Sequence, residues 1–312
     1  MAQLHRRIPV SVIGGFLGAG KTTLVNHLVR SQTRRFGVIV NEFGETSIDG
    51  SLIENVDTDG IAELSNGCLC CVGREDLVSA LFKLIGRKEQ PDHILIELSG
   101  LADPVPVAQT VLDPFTRTRF ELDSIIGVAD ARNLERTLRD GPEGAVQLAY
   151  ASTVVLNKTD LATPEQTAEA LQLIRTINPL CQVYQATQAR VSPETLLHQR
   201  AFDPDWKPQD HHHLHMPQVK TFTLTAERPL ARHKVNEFID HYLISRPDAV
   251  LRAKGFLSVK GFDQQILFQS VREIFSLEQS KEPASAQSRL VVIGRGLNQL
   301  EYNEAFRALQ TS

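Results

Sequence analysis

A lysine and a hydroxyl behind a run of glycines are the first groups in this chain that could do chemistry. Gly15-Phe16-Leu17-Gly18-Ala19-Gly20-Lys21-Thr22 fits the pattern G-x-x-x-x-G-K-[ST]. Glycines let backbone N–H groups turn inward around phosphates, and the N-terminus of a following helix adds its positive dipole. Lys21 is suited to neutralise the β- and γ-phosphates, and the Thr22 hydroxyl is suited to ligate Mg²⁺; Thr23 is a further nucleotide-binding candidate. Three more polar sites follow apolar strand-like runs: Asn41-Glu42, Glu97 and Asn157. In an open α/β sheet, ligands bind at the carboxyl ends of the strands, so these groups should converge on one crevice. Glu97 stands where an acid would hold Mg²⁺, directly or through water, and Gly100 lets the backbone pass close to a γ-phosphate. Lys21, Glu42 and Glu97 are the candidates for catalysis.

Asn157-Lys158-Thr159-Asp160 addresses the base. An aspartate carboxylate only accepts hydrogen bonds, and guanine presents N1–H and N2–H₂ donors side by side, whereas adenine presents a lone pair. A mismatch there leaves a charge unpaired, at a cost of about 1–3 kcal/mol or more. The expected nucleotide is therefore GTP.

A second cluster has softer donors. Of four cysteines, Cys68, Cys70 and Cys71 fall together in Asn66-Gly67-Cys68-Leu69-Cys70-Cys71. In an extended segment Cys68 and Cys70 share a side, and Cys71 joins them if the chain turns near Gly67 and Gly73. Three thiolates form an incomplete tetrahedral shell suited to Zn²⁺ or Cu⁺, and the open fourth position suits loading and release. Glu42 and Glu45 are candidate additional ligands. The alternative is a set of buried or redox-active cysteines. His211, His212, His213 and His215 could add auxiliary late-metal ligands, or could be a merely solvated run.

These residues need elements to hold them. Val10–Ile13, Phe36–Val40, His93–Ile96, Ile125–Val128 and Thr153–Leu156 are apolar and β-branched nearly throughout, as strands buried on both faces are. Lys21–Ser31 carries Leu24, Val25 and Leu28 at helical spacing. Strand–helix alternation predicts an α/β, P-loop fold with a mostly parallel, doubly wound sheet over residues 1–202. Residues 203–217 hold three prolines, the histidines and no apolar period, which predicts a linker. Residues 218–312 predict a smaller α+β domain with an antiparallel sheet. Its strands are expected near Val219–Leu224, Gly255–Val259, Gln265–Gln269 and Arg289–Ile293, with helices over Leu230–Leu243 and through Ala305 and Leu309.

Bulk properties narrow the partners. The 312 residues carry a formal net charge of −4, 42% hydrophobic and 22% charged residues, an ordinary globular balance without the basic surplus of a nucleic-acid binder. No run approaches the roughly 18 apolar residues of a membrane span, and the N-terminus has no signal-peptide pattern. A cytoplasmic location is expected, with no nucleic-acid or membrane partner; a homodimer is compatible with the sequence.

With those motifs in place, the chain resembles the CobW-type family of P-loop GTPases, relatives of the HypB and UreG metallochaperones. The resemblance rests on Gly14–Thr23, Asn41–Glu45, Gly67–Cys71, Ile96–Pro104 and Asn157–Asp160, and in the second domain on Leu251–Leu257 and Val291–Gly294. It implies GTP hydrolysis coupled to insertion of a metal, commonly zinc and in some members cobalt, into a client metalloprotein. It also implies metal binding by the C-x-C-C cysteines. Some relatives have a metal-site glutamate where this chain has Val40, which leaves Glu45 as the better carboxylate. Two other functions fit parts of the pattern: a metal store or sensor with a secondary nucleotide site, and an ATP-dependent small-molecule kinase.

Overall fold

The computed structural model describes residues 7–31, 34–40, 61–63, 74–100, 102–197, 219–283 and 285–310. The chain divides into two compact units. The first contains residues 1–147, 151–171 and 181–201; the second contains 148–150, 172–180 and 202–312.

In the first unit, strands β1 (Ile8–Gly15), β2 (Phe36–Val40), β3 (Ile61–Glu63), β4 (His93–Glu97), β5 (Phe120–Asp130), β6 (Thr153–Asn157) and β7 (Gln182–Gln185) form one sheet. Among the described residues its order is β3-β2-β4-β1-β5-β6-β7, and every pairing is parallel. Helices α1 (Lys21–Arg30), α2 (Arg74–Ile85), α3 (Val105–Leu112), α4 (Leu134–Asp140), α5 (Glu143–Tyr150), α6 (Pro164–Ile177) and α7 (Pro193–Leu196) make the crossovers and flanking layers, the last residues of α5 (148–150) and α6 (172–177) being counted with the second unit. The expected doubly wound parallel sheet is present.

Local chemistry explains the element starts. The α6 helix opens on a reciprocal cap, in which Thr163 N–H donates to Gln166 Oε1 (2.9 Å) and Gln166 N–H donates to Thr163 Oγ1 (3.3 Å). Pro164 follows at the first helical position, where a missing N–H costs nothing. Strands β1, β2, β4 and β6 are buried on both faces or nearly so, which is why their residues lack a polar alternation. One polar cluster interrupts this core. The Ser11 hydroxyl lies 2.9 Å from His93 Nε2, 2.9 Å from Ser124 Oγ and 3.3 Å from Asp123 Oδ2, and all four residues are buried. The register between β1 and β5 shifts there, with Val10 opposite Leu122 and Ser11 opposite Ser124, so Asp123 is the extra residue of a bulge.

In the second unit, β8 (Lys220–Ala226), β9 (Val250–Leu257), β10 (Gln264–Val271), β11 (Ile274–Pro283) and β12 (Ser288–Gly294) form an antiparallel sheet in the order β11-β10-β9-β12-β8. The α8 helix (Arg232–Phe238), which continues as a π-helical turn over Ile239–Ile244, and α9 (Gln299–Ala308) cover one face. Phe222, Phe238, Phe268, Tyr302 and Phe306 fill the core between them. The structure departs from the sequence expectation at β9, which begins at Val250 and not at Gly255. Arg252 and Lys254 break the apolar pattern but are themselves buried within the strand. The expected linker at 203–217 lies outside the described residues.

Candidate functional site

The carboxyl ends of β1, β4, β5 and β6 meet along one edge of the parallel sheet, since Ile13 pairs with Glu97 and with Ile126, and Asp130 pairs with Asn157. The glycine-rich loop leaves β1 at this edge and enters α1. Gly20 caps α1 at φ 107°, a left-handed conformation that a side chain rarely adopts. A Cβ at that position would lie 2.4 Å from Asn157 Nδ2, so the close approach of the two segments also requires glycine.

Asn157 joins the two halves of the site. Its Nδ2 donates to the Ala19 carbonyl (3.0 Å), and its Oδ1 accepts from the Ala189 N–H (2.7 Å). One buried amide thus ties the phosphate loop to the segment after β6 and to the loop after β7. Lys21, itself buried, donates from Nζ to the Phe16 carbonyl at 2.9 Å. The ammonium therefore already sits inside the loop that would hold phosphates. Thr22 Oγ1 donates to Glu97 Oε1 at 2.7 Å. A hydroxyl and a carboxylate side by side at a helix N-terminus form an oxygen donor pair of the type Mg²⁺ prefers, so these residues fit that ion.

Beyond Asn157 the chain turns sharply. Lys158 adopts a left-handed φ of 59°, and its Nζ donates to Asp130 Oδ2 at 2.8 Å. Thr159 N–H and Oγ1 both donate to the Ala186 carbonyl, and Asp160 is exposed at the end of the turn. Gln188 and Ala189 take consecutive left-handed conformations, with φ of 51° and 54°, which bring the Ala189 N–H onto Asn157. The Ala186–Ala189 loop and Asp130 are site elements that the sequence reading missed. The preceding strand, Gln182–Gln185, is short, polar and not fully buried at any position, so no apolar pattern announced it.

Burial raises the proton affinity of Asp130, but hydrogen bonds from Lys158 and Asn133, the Lys158 charge and the Arg132 N–H together hold its carboxyl below the usual aspartate range. The unfolded chain then binds this proton more readily than the folded one. Asp130 contributes stability in full above the ordinary aspartate range and loses it as pH falls through the depressed folded value. Asp130→Asn should cost about 1 kcal/mol at neutral pH. Urea unfolding should show the variant and wild type converging on acidification below about pH 4. A constant gap down to the lowest pH would refute this assignment.

Lys21, Thr22, Glu97 and Asn157 are brought together as expected; Gly15 to Gly20 line the same turn, and Lys158 and Asp160 flank it. Glu42, Glu45, Cys68, Cys70, Cys71, His211, His212, His213 and His215 lie outside the described residues. Among the described residues, no group of three or more His, Cys, Asp or Glu side chains is placed to hold a metal ion. No described helix is long and apolar enough to cross a membrane.

A parallel sheet with this phosphate loop, acid and Asn-Lys-Thr-Asp edge, joined in sequence to an α+β module, defines a two-module P-loop nucleotide-binding protein. The chain belongs to the CobW/HypB/UreG family: residues 9–185 match its nucleotide-binding domain, and residues 219–310 match the cobalamin synthesis protein cobW C-terminal domain. It is 31% identical to the zinc chaperone YjiA of Escherichia coli, over 97% of this chain and 99% of that protein. It is 28% identical to the zinc-regulated GTPase metalloprotein activator 1 of Schizosaccharomyces pombe, over 94% of this chain and 84% of that one. The crystal structure of the Zn(II)-bound YjiA GTPase from E. coli superposes with a TM-score of 0.80 at 26% identity, covering 98% of this chain and all of that one.

Proposed function

We propose that this protein is a GTP-hydrolysing metallochaperone that binds zinc through Cys68, Cys70 and Cys71 and transfers it to a client metalloprotein. The observation that carries the nucleotide half is the Asn157 bridge, which ties the loop suited to phosphates to the segment suited to guanine. The cargo half is supported by the end-to-end likeness to relatives named zinc chaperones.

On this reading Asp160 accepts the N1–H and N2–H₂ donors of guanine, while the Lys158 stem lies beside the base and its ammonium stays on Asp130. Lys21 exchanges the Phe16 carbonyl for the phosphate oxygens. Thr22 and Glu97 hold Mg²⁺, which when bound supplies neutralising charge to the triphosphate. Gly100 presents its backbone towards the γ-phosphate. The nucleotide state sets the affinity of the cysteine segment for zinc, and loss of the γ-phosphate releases the ion. Residues 218–312, beyond a 203–217 linker, recognise the client, and the cycle runs in the cytoplasm. Glu45 completes the zinc shell, and the histidines from His211 to His215 act as an auxiliary reservoir.

Anaerobic zinc titration with a non-hydrolysable GTP analogue, with GDP and without nucleotide tests the switch. Affinity should be highest with the analogue and lost in a Cys68/Cys70/Cys71→Ser variant. Equal affinity in all three nucleotide states would sink the idea, because a ligand without differential affinity shifts nothing. The base assignment has its own test. Asp160→Asn should weaken GTP binding roughly 100-fold and favour xanthosine triphosphate, following from about 3 kcal/mol of mismatched hydrogen bonding. An unchanged preference would point to another nucleotide.

A further inference from the structure

Two consecutive residues of the phosphate loop rest on glycines from elsewhere in the first unit. A Cβ added at Gly144, in the first turn of α5, would lie 2.2 Å from Phe16 Cζ, so the Phe16 ring sits on the bare backbone of that turn. A Cβ added at Gly100 would lie 2.9 Å from Leu17 N and 3.2 Å from Leu17 Cα, so the segment after β4 lies directly against the backbone of the loop. The position of Phe16 bears on the charge in the site, because its carbonyl accepts from Lys21 Nζ at 2.9 Å.

Gln147 joins these two supports. It stands one turn after Gly144 on α5, and residues 1–147 all belong to the first unit. Its Nε2 donates to the carbonyls of Gly100 and Ala102, both at 3.2 Å, which uses both hydrogens of the amide nitrogen. The amide has one orientation open to it, since turned round its oxygen would face two carbonyl oxygens. A glycine backbone has the most freedom to restrain, so one bond at Gly100 and a second two residues on hold the part of the segment least able to hold itself.

The far end of the amide shows what sets its place. Gln147 is 8% exposed, and its Oε1 is buried without a hydrogen-bond partner. A buried acceptor left unpaired is a cost that an apolar side chain of the same shape would not carry. The grip of Nε2 on the segment after β4 is therefore kept against that cost, which singles it out from ordinary packing.

We propose that Gly144 and Gln147 form a platform behind the nucleotide site, and that Gln147 is the positioning residue that fixes the spacing between the Gly100 backbone and the phosphate loop. The proposal rests on the guanine-nucleotide reading of the site above, and every contact it uses lies within the first unit. The two residues act on different phosphates. Gly144 supports Phe16, and so the loop that wraps the phosphates of either nucleotide. Gln147 supports the segment that faces a γ-phosphate, which GDP lacks.

The test measures GDP and a non-hydrolysable GTP analogue with Mg²⁺ by calorimetric titration of the full chain. In Gln147→Met the preference for analogue over GDP should fall roughly tenfold, the loss expected for two neutral hydrogen bonds, while GDP affinity stays within about threefold. The same variant removes the unpaired oxygen together with the two bonds, so its unfolding midpoint without nucleotide should stay within about 4 °C of wild type. Gly144→Ala should instead weaken both nucleotides alike, by roughly tenfold, because the added methyl displaces the Phe16 ring. Alanine is otherwise the better helix former, so this variant stays folded and decides the matter if Gln147→Met does not. An unchanged preference in folded Gln147→Met, equal losses for the two nucleotides in it, or wild-type binding by Gly144→Ala overturns the platform alone. Failure of the wild type to bind any guanine nucleotide overturns this proposal and the functional reading together.

Discussion

Lys21→Ala should lower triphosphate hydrolysis by roughly 10³-fold or more while leaving the chain folded, because charge stabilisation at the transferring phosphoryl group is the largest contribution this site can make. Nothing else in the described phosphate loop carries a positive charge. The ammonium is buried and rests 2.9 Å from the Phe16 carbonyl, so it is already desolvated and aimed into the loop before a phosphate arrives. A preorganised charge of this kind lowers a barrier without a reorganisation cost, and a 10³-fold effect corresponds to about 4 kcal/mol. The structural penalty is smaller, about 1 kcal/mol for one carbonyl left without its donor. Single-turnover phosphate release, set beside a thermal unfolding midpoint, separates the two. Hydrolysis within tenfold of the wild type would show that the loop binds phosphate for some purpose other than its cleavage.

Gly255→Ala should unfold the C-terminal module or cost it about 3 kcal/mol or more, the upper range for overpacking. Gly255 lies in β9, the middle strand of five, opposite Leu290 of β12. A methyl group there would sit 2.0 Å from the Arg289 carbonyl oxygen and 2.6 Å from Leu290 Cα. Both are backbone atoms of the neighbouring strand, so no rotamer change can make room. Relief requires β9 and β12 to separate, which breaks ladder hydrogen bonds and loosens the packing of Leu290 and Val292 under the helices. Urea unfolding followed by tyrosine fluorescence and by nucleotide binding should show the module melting early. A midpoint unchanged from wild type would mean that the strands tolerate the separation.

Residues whose chemistry dictates spacing were the most legible in the sequence. The loop from Gly15 to Thr22 needs particular side chains at fixed intervals, and strand and helix flank it where expected. Strands buried on both faces were equally plain, as β2 and β6 show. The pattern failed where burial and polarity part company. Arg252 and Lys254 interrupt the apolar pattern, yet they are buried in β9. The edge strand β11 alternates only over its first half and was missed. Contacts between distant segments left no local mark: nothing near Asn157 announces that its amide will meet Ala189, 32 residues on. Gln147 is invisible for the same reason. It reads as an ordinary polar residue on a short helix, and its importance comes from Gly100 and Ala102, more than 40 residues earlier.

The order of strands also bears on how the protein is made. β1 lies in the interior of the parallel sheet, yet it is the first of this sheet's described strands to be synthesised. Its hydrogen-bonding neighbours are β4 and β5, and Ser11 waits for Ser124, 113 positions later. At roughly 5–20 residues per second, that interval is on the order of 6–20 seconds. For that time the β5 edge of an apolar eight-residue segment stays unpaired, and until Leu95 emerges its β4 edge is unpaired as well. A nascent chain of this protein is therefore most exposed to aggregation before β5 emerges, and a protein proposed to chaperone metal should itself be a substrate for the chaperones that shelter unfinished chains.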